Sequence, residues 1–86
     1  MDIQSEKEEI GRAFQRELAL VKVVAAGRRQ DEALNVVGAW SGRLLELRAT
    51  HFTAELSGDP EGVSRFIAEL HPLGLVSALR SGAIGL

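Results

Sequence analysis

Nine consecutive residues, Leu18-Ala-Leu-Val-Lys-Val-Val-Ala-Ala26, are apolar at eight positions, and only Lys22 interrupts them. The valines favour a strand, because β-branched side chains pack well on a pleated surface and lose rotamer freedom in a helix. Gly27 closes the run. A strand that is apolar on both faces belongs in the middle of a sheet, where each face can meet something. This chain must therefore assemble a sheet around residues 18–26.

The rest of the chain supplies the neighbours. Gly27-Arg28-Arg29-Gln30 reads as a turn, and Gln30 or Asp31 opens a helix. Ala33, Leu34, Val37 and Trp40 then recur at helical spacing. Asp31 and Glu32 fall in the first turn of that expected helix, where the helix dipole favours acids. Gly42 is the expected terminator. Residues 44–49 read as a second strand, with Thr50 and His51 as a tight connection. Phe52, Ala54 and Leu56 alternate with Thr53, Glu55 and Ser57, the period-two signature of a strand with one wet face. Ser57-Gly58-Asp59-Pro60 is a stop and restart, with Asp59 as cap and Pro60 at the first helical position. Val63, Phe66, Ile67 and Leu70 form one apolar stripe. His71-Pro72-Leu73-Gly74 ends that helix. Residues 75–86 supply a last strand, broken by Ser81-Gly82.

The order is strand, helix, strand, strand, helix, strand. Right-handed crossovers and a central hairpin make this an α+β, ferredoxin-like βαββαβ sandwich. A four-stranded antiparallel sheet carries two helices on one face, and the first and third strands lie in its centre. Residues 14–86 form the single domain. Residues 1–13 are a polar N-terminal tail, in which Ser5 and Glu8 have capping-box spacing.

Composition narrows the function. At 86 residues there is room for one domain. With no cysteine, disulfide scaffolds, cysteine-ligated zinc and thiol nucleophiles are all excluded. Ten Lys+Arg against twelve Asp+Glu give a net charge of −2, the wrong sign for a general grip on nucleic acid. An RNA-binding module of the same element order needs aromatic side chains on its open sheet face. Here Phe52 and Phe66 face the core, so no nucleic-acid partner is expected. No apolar run approaches the roughly 20 residues of a membrane span, and the first 13 residues are unlike a signal peptide. A cytoplasmic location is expected.

The first strand also suggests a surface. Ala19, Val21 and Val23 point one way, and Leu18, Leu20, Lys22 and Val24 the other. The two helices can cover only one face, and Lys22 places its own set away from them. Leu18 and Leu20 then stand on an open sheet face, and an exposed apolar patch on a small domain marks a contact surface. Leu18, Leu20 and Lys22 are the expected interface of a homodimer or higher oligomer formed through the sheet.

Four stretches carry a resemblance. They are Arg16-Glu-Leu-Ala-Leu-Val-Lys-Val23, then Phe52-Thr-Ala-Glu-Leu-Ser-Gly-Asp-Pro-Glu-Gly62, and finally Phe66-Ile-Ala-Glu-Leu-His-Pro-Leu-Gly-Leu75 followed by Leu79-Arg-Ser-Gly-Ala83. Together they resemble the C-terminal domain of the small, regulatory subunit of acetohydroxyacid synthase (acetolactate synthase), over about residues 14–86. The resemblance implies an ACT-like, non-catalytic regulatory domain in branched-chain amino acid biosynthesis. It would bind and stimulate the catalytic subunit of a thiamine diphosphate-dependent synthase and hold no cofactor itself. The family has Arg where this chain has His71, and Thr where it has Ser81. The Asn-x-Pro-Gly-Val motif of the family's preceding ACT domain, which resembles a valine-feedback site, does not occur here. Met1 is consistent with either a free-standing chain or one domain of a longer product.

Other chemistry is sparse. His51 and His71 have no acidic partners at ligand spacing, so no metal site is expected. The serines lack a nucleophile-elbow context, and no catalytic residue is assigned. Glu46 and Glu55 would face each other across the hairpin as solvated carboxylates. Arg80-Ser81-Gly82 reads as a bulge in an edge strand. Gly27, Arg28 and Arg29 are the candidate ligand site. Backbone N–H groups at a helix start, with an arginine clamp, suit an anion, and the ACT-like resemblance implies a small amino acid effector near this connection. A stand-alone ACT-like module that binds such an amino acid is the alternative function.

Overall fold

The computed structural model describes residues 16–82. Its elements are β1 (Glu17–Val24), α1 (Gly27–Ala39), β2 (Arg43–Leu47), β3 (His51–Gly58), α2 (Pro60–Leu70), a 3-10 turn (His71–Leu73) and β4 (Leu75–Arg80). The four strands are antiparallel in the order β2-β3-β1-β4, so β1 and β3 are central. This is the ferredoxin-like βαββαβ arrangement that the alternation of periods two and 3.6 predicts. The expected tail, residues 1–13, and the end of the last strand, residues 83–86, lie outside the described residues.

The core fills the space between the sheet and its helices. Ala19, Val21 and Val23 of β1 meet Phe52, Ala54 and Leu56 of β3. Ala33 and Val37 of α1 and Val63, Phe66 and Leu70 of α2 close over them, with Leu34, Trp40 and Ile67 at the margin. Burying each large aliphatic or Phe side chain here stabilises the fold by roughly 1.5–3 kcal/mol. Trp40 stands edge-on to Phe66, with ring centroids 6.4 Å apart.

Local chemistry sets the boundaries. Asp59 caps α2 by accepting a 2.6 Å hydrogen bond from the Gly62 N–H, and Pro60 takes the first turn, as expected. Gly74 adopts φ 109° and lies so close to β1 that a Cβ would sit 2.3 Å from the Val24 carbonyl oxygen. Only glycine fits there, and this position turns the chain into β4.

Several boundaries differ from the sequence reading. β1 ends at Val24, not Ala26. The helix begins at Gly27, so Gly27-Arg28-Arg29-Gln30 is its first turn and not a loop before it. No acid lies in that first turn. The glycine at φ 62° supplies the backbone reversal that a separate turn would have made. At the other end of α1 the left-handed residue is Ser41 (φ 58°), not Gly42. Gly42 is needed for space, since a Cβ there would lie 3.0 Å from the Val37 side chain and 3.2 Å from the Glu55 carbonyl oxygen.

β2 runs over Arg43–Leu47, and its register with β3 shifts between Leu44 and Glu46. That shift sets Glu46 opposite Thr53 and Arg43 opposite Glu55, so the two glutamates do not face each other. In β4 the irregularity lies at Val76, where the register slips between Lys22 and Val23, and Arg80 pairs regularly with Ala19.

Candidate interaction face

Antiparallel partners share a face of the sheet, so the registers define the face that the helices leave bare. One row holds Arg43, Glu55, Leu20 and Leu79. The next holds Glu46, Thr53, Lys22 and Ser77. Leu18 lies beside Ser57, and Val24 beside His51. Leu18 is 42% exposed, Leu20 36%, Val24 47% and Leu79 67%. Lys22 is exposed between them. Period-two alternation on a central strand places every second apolar residue of β1 on the side without helices.

The face is divided. Its β1–β4 half is aliphatic apart from Lys22 and Ser77. Its β2–β3 half holds the charges, with Arg43 3.7 Å from Glu55 and Arg48 2.9 Å from Glu46. The Arg48 hydrogen bond holds the Glu46 carboxyl below the usual carboxylate range, and the charges of His51 and Lys22 act in the same direction.

Gly27, Arg28 and Arg29 lie at the start of α1, beyond the Val24 end of β1. Arg28 and Arg29 are exposed, and no side chain caps this helix, since Ala26 holds the cap position. The Gln30 amide Nε2 donates to the carbonyls of Ala25 (3.1 Å) and Arg48 (2.7 Å), tying the helix start to the β2–β3 connection. Leu18 stands at the opposite end of β1, so the two candidate sites occupy different parts of the fold.

One constellation escaped the sequence reading. Glu17 lies on the helix-facing side of β1 and is only 4% exposed. Arg80 grips both of its carboxylate oxygens, through Nε and, at 2.8 Å, through Nη2. The same guanidinium donates to Ser64 Oγ at 2.9 Å and to the Pro60 carbonyl at 3.0 Å. Arg80 thus fastens β1, β4 and the start of α2 together. Its hydrogen bond to Glu17 lowers the Glu17 pKa against the opposing effect of burial, and their charge attraction and the Gly82 backbone add to the lowering. The signal was present in the parity of β1: Glu17 shares a face with Ala19, Val21 and Val23, and a buried carboxylate needs a cationic partner. Next to this staple, Leu18 N–H donates to Ser81 Oγ and Ser81 N–H donates to the Leu18 carbonyl, both at 2.9 Å.

Among the described residues, no three His, Asp or Glu side chains come together in a way that could hold a metal ion. No described helix is long and apolar enough to cross a membrane.

Comparison with known proteins agrees with the fold. Residues 16–86 match a family model described as the small subunit of acetolactate synthase. The acetolactate synthase small subunit of Aquifex aeolicus is 30% identical over 73 residues, covering 84% of this chain and 38% of the relative. That of Haemophilus influenzae is 33% identical over 81 residues, covering 93% and 47%. This chain therefore spans less than half the length of these curated relatives. The crystal structure of the acetolactate synthase small subunit from Thermotoga maritima superposes with a TM-score of 0.74 at 24% identity, covering 84% of this chain and 44% of that one. At that identity the superposition speaks for the fold.

Proposed function

Because the chain belongs to the family of acetolactate synthase small subunits, we propose that it is a non-catalytic, ACT-like regulatory domain of branched-chain amino acid biosynthesis. It acts in the cytoplasm by binding the catalytic subunit of a thiamine diphosphate-dependent synthase and stimulating it. The observation that supports this reading most is the match of residues 16–86 to the small-subunit family. A binding domain raises the activity of its partner only by contacting the active state better than the inactive one. Self-association uses the bare aliphatic half of the sheet, with Leu18, Leu20 and Lys22 at its centre, and leaves the helix-covered side of each copy free for the catalytic subunit.

The test is co-purification of the chain with its catalytic subunit, followed by an assay for acetolactate. The chain alone forms none, and the pair elutes together. Acetolactate formation by the chain alone, or failure of the two to associate, contradicts the proposal. Self-association is tested separately by light scattering: Leu20→Asp turns the oligomer into a monomer.

The uncapped start of α1 supports a second reading, a small amino acid effector held by Gly27, Arg28 and Arg29. Its backbone N–H groups lack a side-chain cap, and both arginines are exposed. Calorimetric titration with branched-chain amino acids tests it, with heat expected from the wild type and none from the Arg28→Ala, Arg29→Ala double variant.

A further inference from the structure

The open face carries both halves of its own complement. This inference rests on the proposed self-association through that face and specifies its register. Lys22 makes no ion pair with any carboxylate among the described residues. Covering the face with an apolar partner would bury that ammonium unpaired, which is costly. The covering surface must therefore bring a carboxylate to Lys22, and aliphatic side chains to Leu18 and Leu20.

A second copy meets both demands in one arrangement. Two sheets packed face to face lie about 10 Å apart with strands nearly aligned. A two-fold axis running along the strands would set the aliphatic half of one copy on the charged half of the other. An axis crossing the strands sets each half on its own kind. If that axis passed through the Leu20 row, Glu55 would meet Glu55, a like-charge contact. If it passes between the Leu20 and Lys22 rows, the conflict disappears. Leu18 then lies opposite Val24 of the second copy, and Arg43 opposite Glu46 of the second copy. Lys22 lies over Leu20 of the second copy, one strand spacing (about 4.8 Å) from Glu55 beside it. The lysine stem covers the leucine and the ammonium reaches the carboxylate.

We infer that two copies of this chain pack open face to open face about a two-fold axis crossing β1 between Leu20 and Lys22, with Lys22 of each copy paired to Glu55 of the other. The symmetry makes each pair occur twice.

Sedimentation equilibrium of the full chain tests the register. Lys22→Glu and Glu55→Lys are both surface changes, with folding checked by circular dichroism. Each alone should weaken the dimer at least about tenfold, because it places like charges together at two positions. The Lys22→Glu, Glu55→Lys double variant should recover most of the loss, and raised salt should weaken the wild type. If Leu20→Asp breaks the dimer but the single charge reversals leave it unchanged, or the double variant is no better than the singles, this register is overturned while the sheet-face interface stands. If Leu20→Asp leaves the dimer intact, or the wild type is monomeric, the interface itself is wrong and the register falls with it.

Discussion

At the residue scale, two positions tie the fold to conditions that can be varied. Gly74 combines a left-handed backbone with a 2.3 Å approach of any Cβ to the Val24 carbonyl oxygen. Gly74→Ala should cost at least about 2 kcal/mol, read as a lower urea midpoint. Glu17 links stability to pH. Its carboxyl is held below the ordinary value of 4.5 by Arg80, so the native state binds its proton less readily than the unfolded chain does. Stability from this pair is complete above the unfolded value and is lost as pH falls below it, through the lower folded value. The wild-type urea midpoint should therefore drop from about pH 4.5 downward. In Glu17→Gln it should be lower at neutral pH and fall less steeply in acid. Glu46 is shifted in the same direction by Arg48, so Glu46→Gln is the control that separates a surface contribution from the buried one.

At the scale of elements, the helices differ in how they are specified. α2 has a side-chain cap, a proline in its first turn and three buried apolar residues on one stripe. Asp59→Ala should cost about 1 kcal/mol by removing the cap. Phe66→Ala should cost about 3–5 kcal/mol by opening a cavity between α2 and the sheet. Thermal or urea unfolding ranks the two. This helix and the period-two pattern of β3 were legible in the sequence, because local signals and tertiary packing agree there. α1 was legible in its buried stripe but not at its start. Gly27 and the two arginines look like turn chemistry, and only the packing of β1 against its neighbours shows that the chain turns within one glycine. The bulges at Leu45 and Val76 were invisible for a related reason: a one-residue slip depends on the partner strand and leaves no local mark. The Glu17–Arg80 staple spans 63 residues. Parity demanded a partner for Glu17, but nothing in the spacing chose Arg80 for that role.

At the scale of the whole molecule, the sheet is covered unequally. Two helices cover one side of a sheet whose central strand is aliphatic on both. The fold therefore leaves Leu18, Leu20 and Val24 beside Leu79 in solvent, and burial of these side chains on association is the available driving force. The proposed role is contact and regulation, with the chemistry carried by another subunit of the same family of synthases. The most direct test is the rate of acetolactate formation by the catalytic subunit as this chain is titrated in. The rate should climb and saturate at a fixed stoichiometry. A rate that stays flat through a large molar excess would rule out the regulatory role.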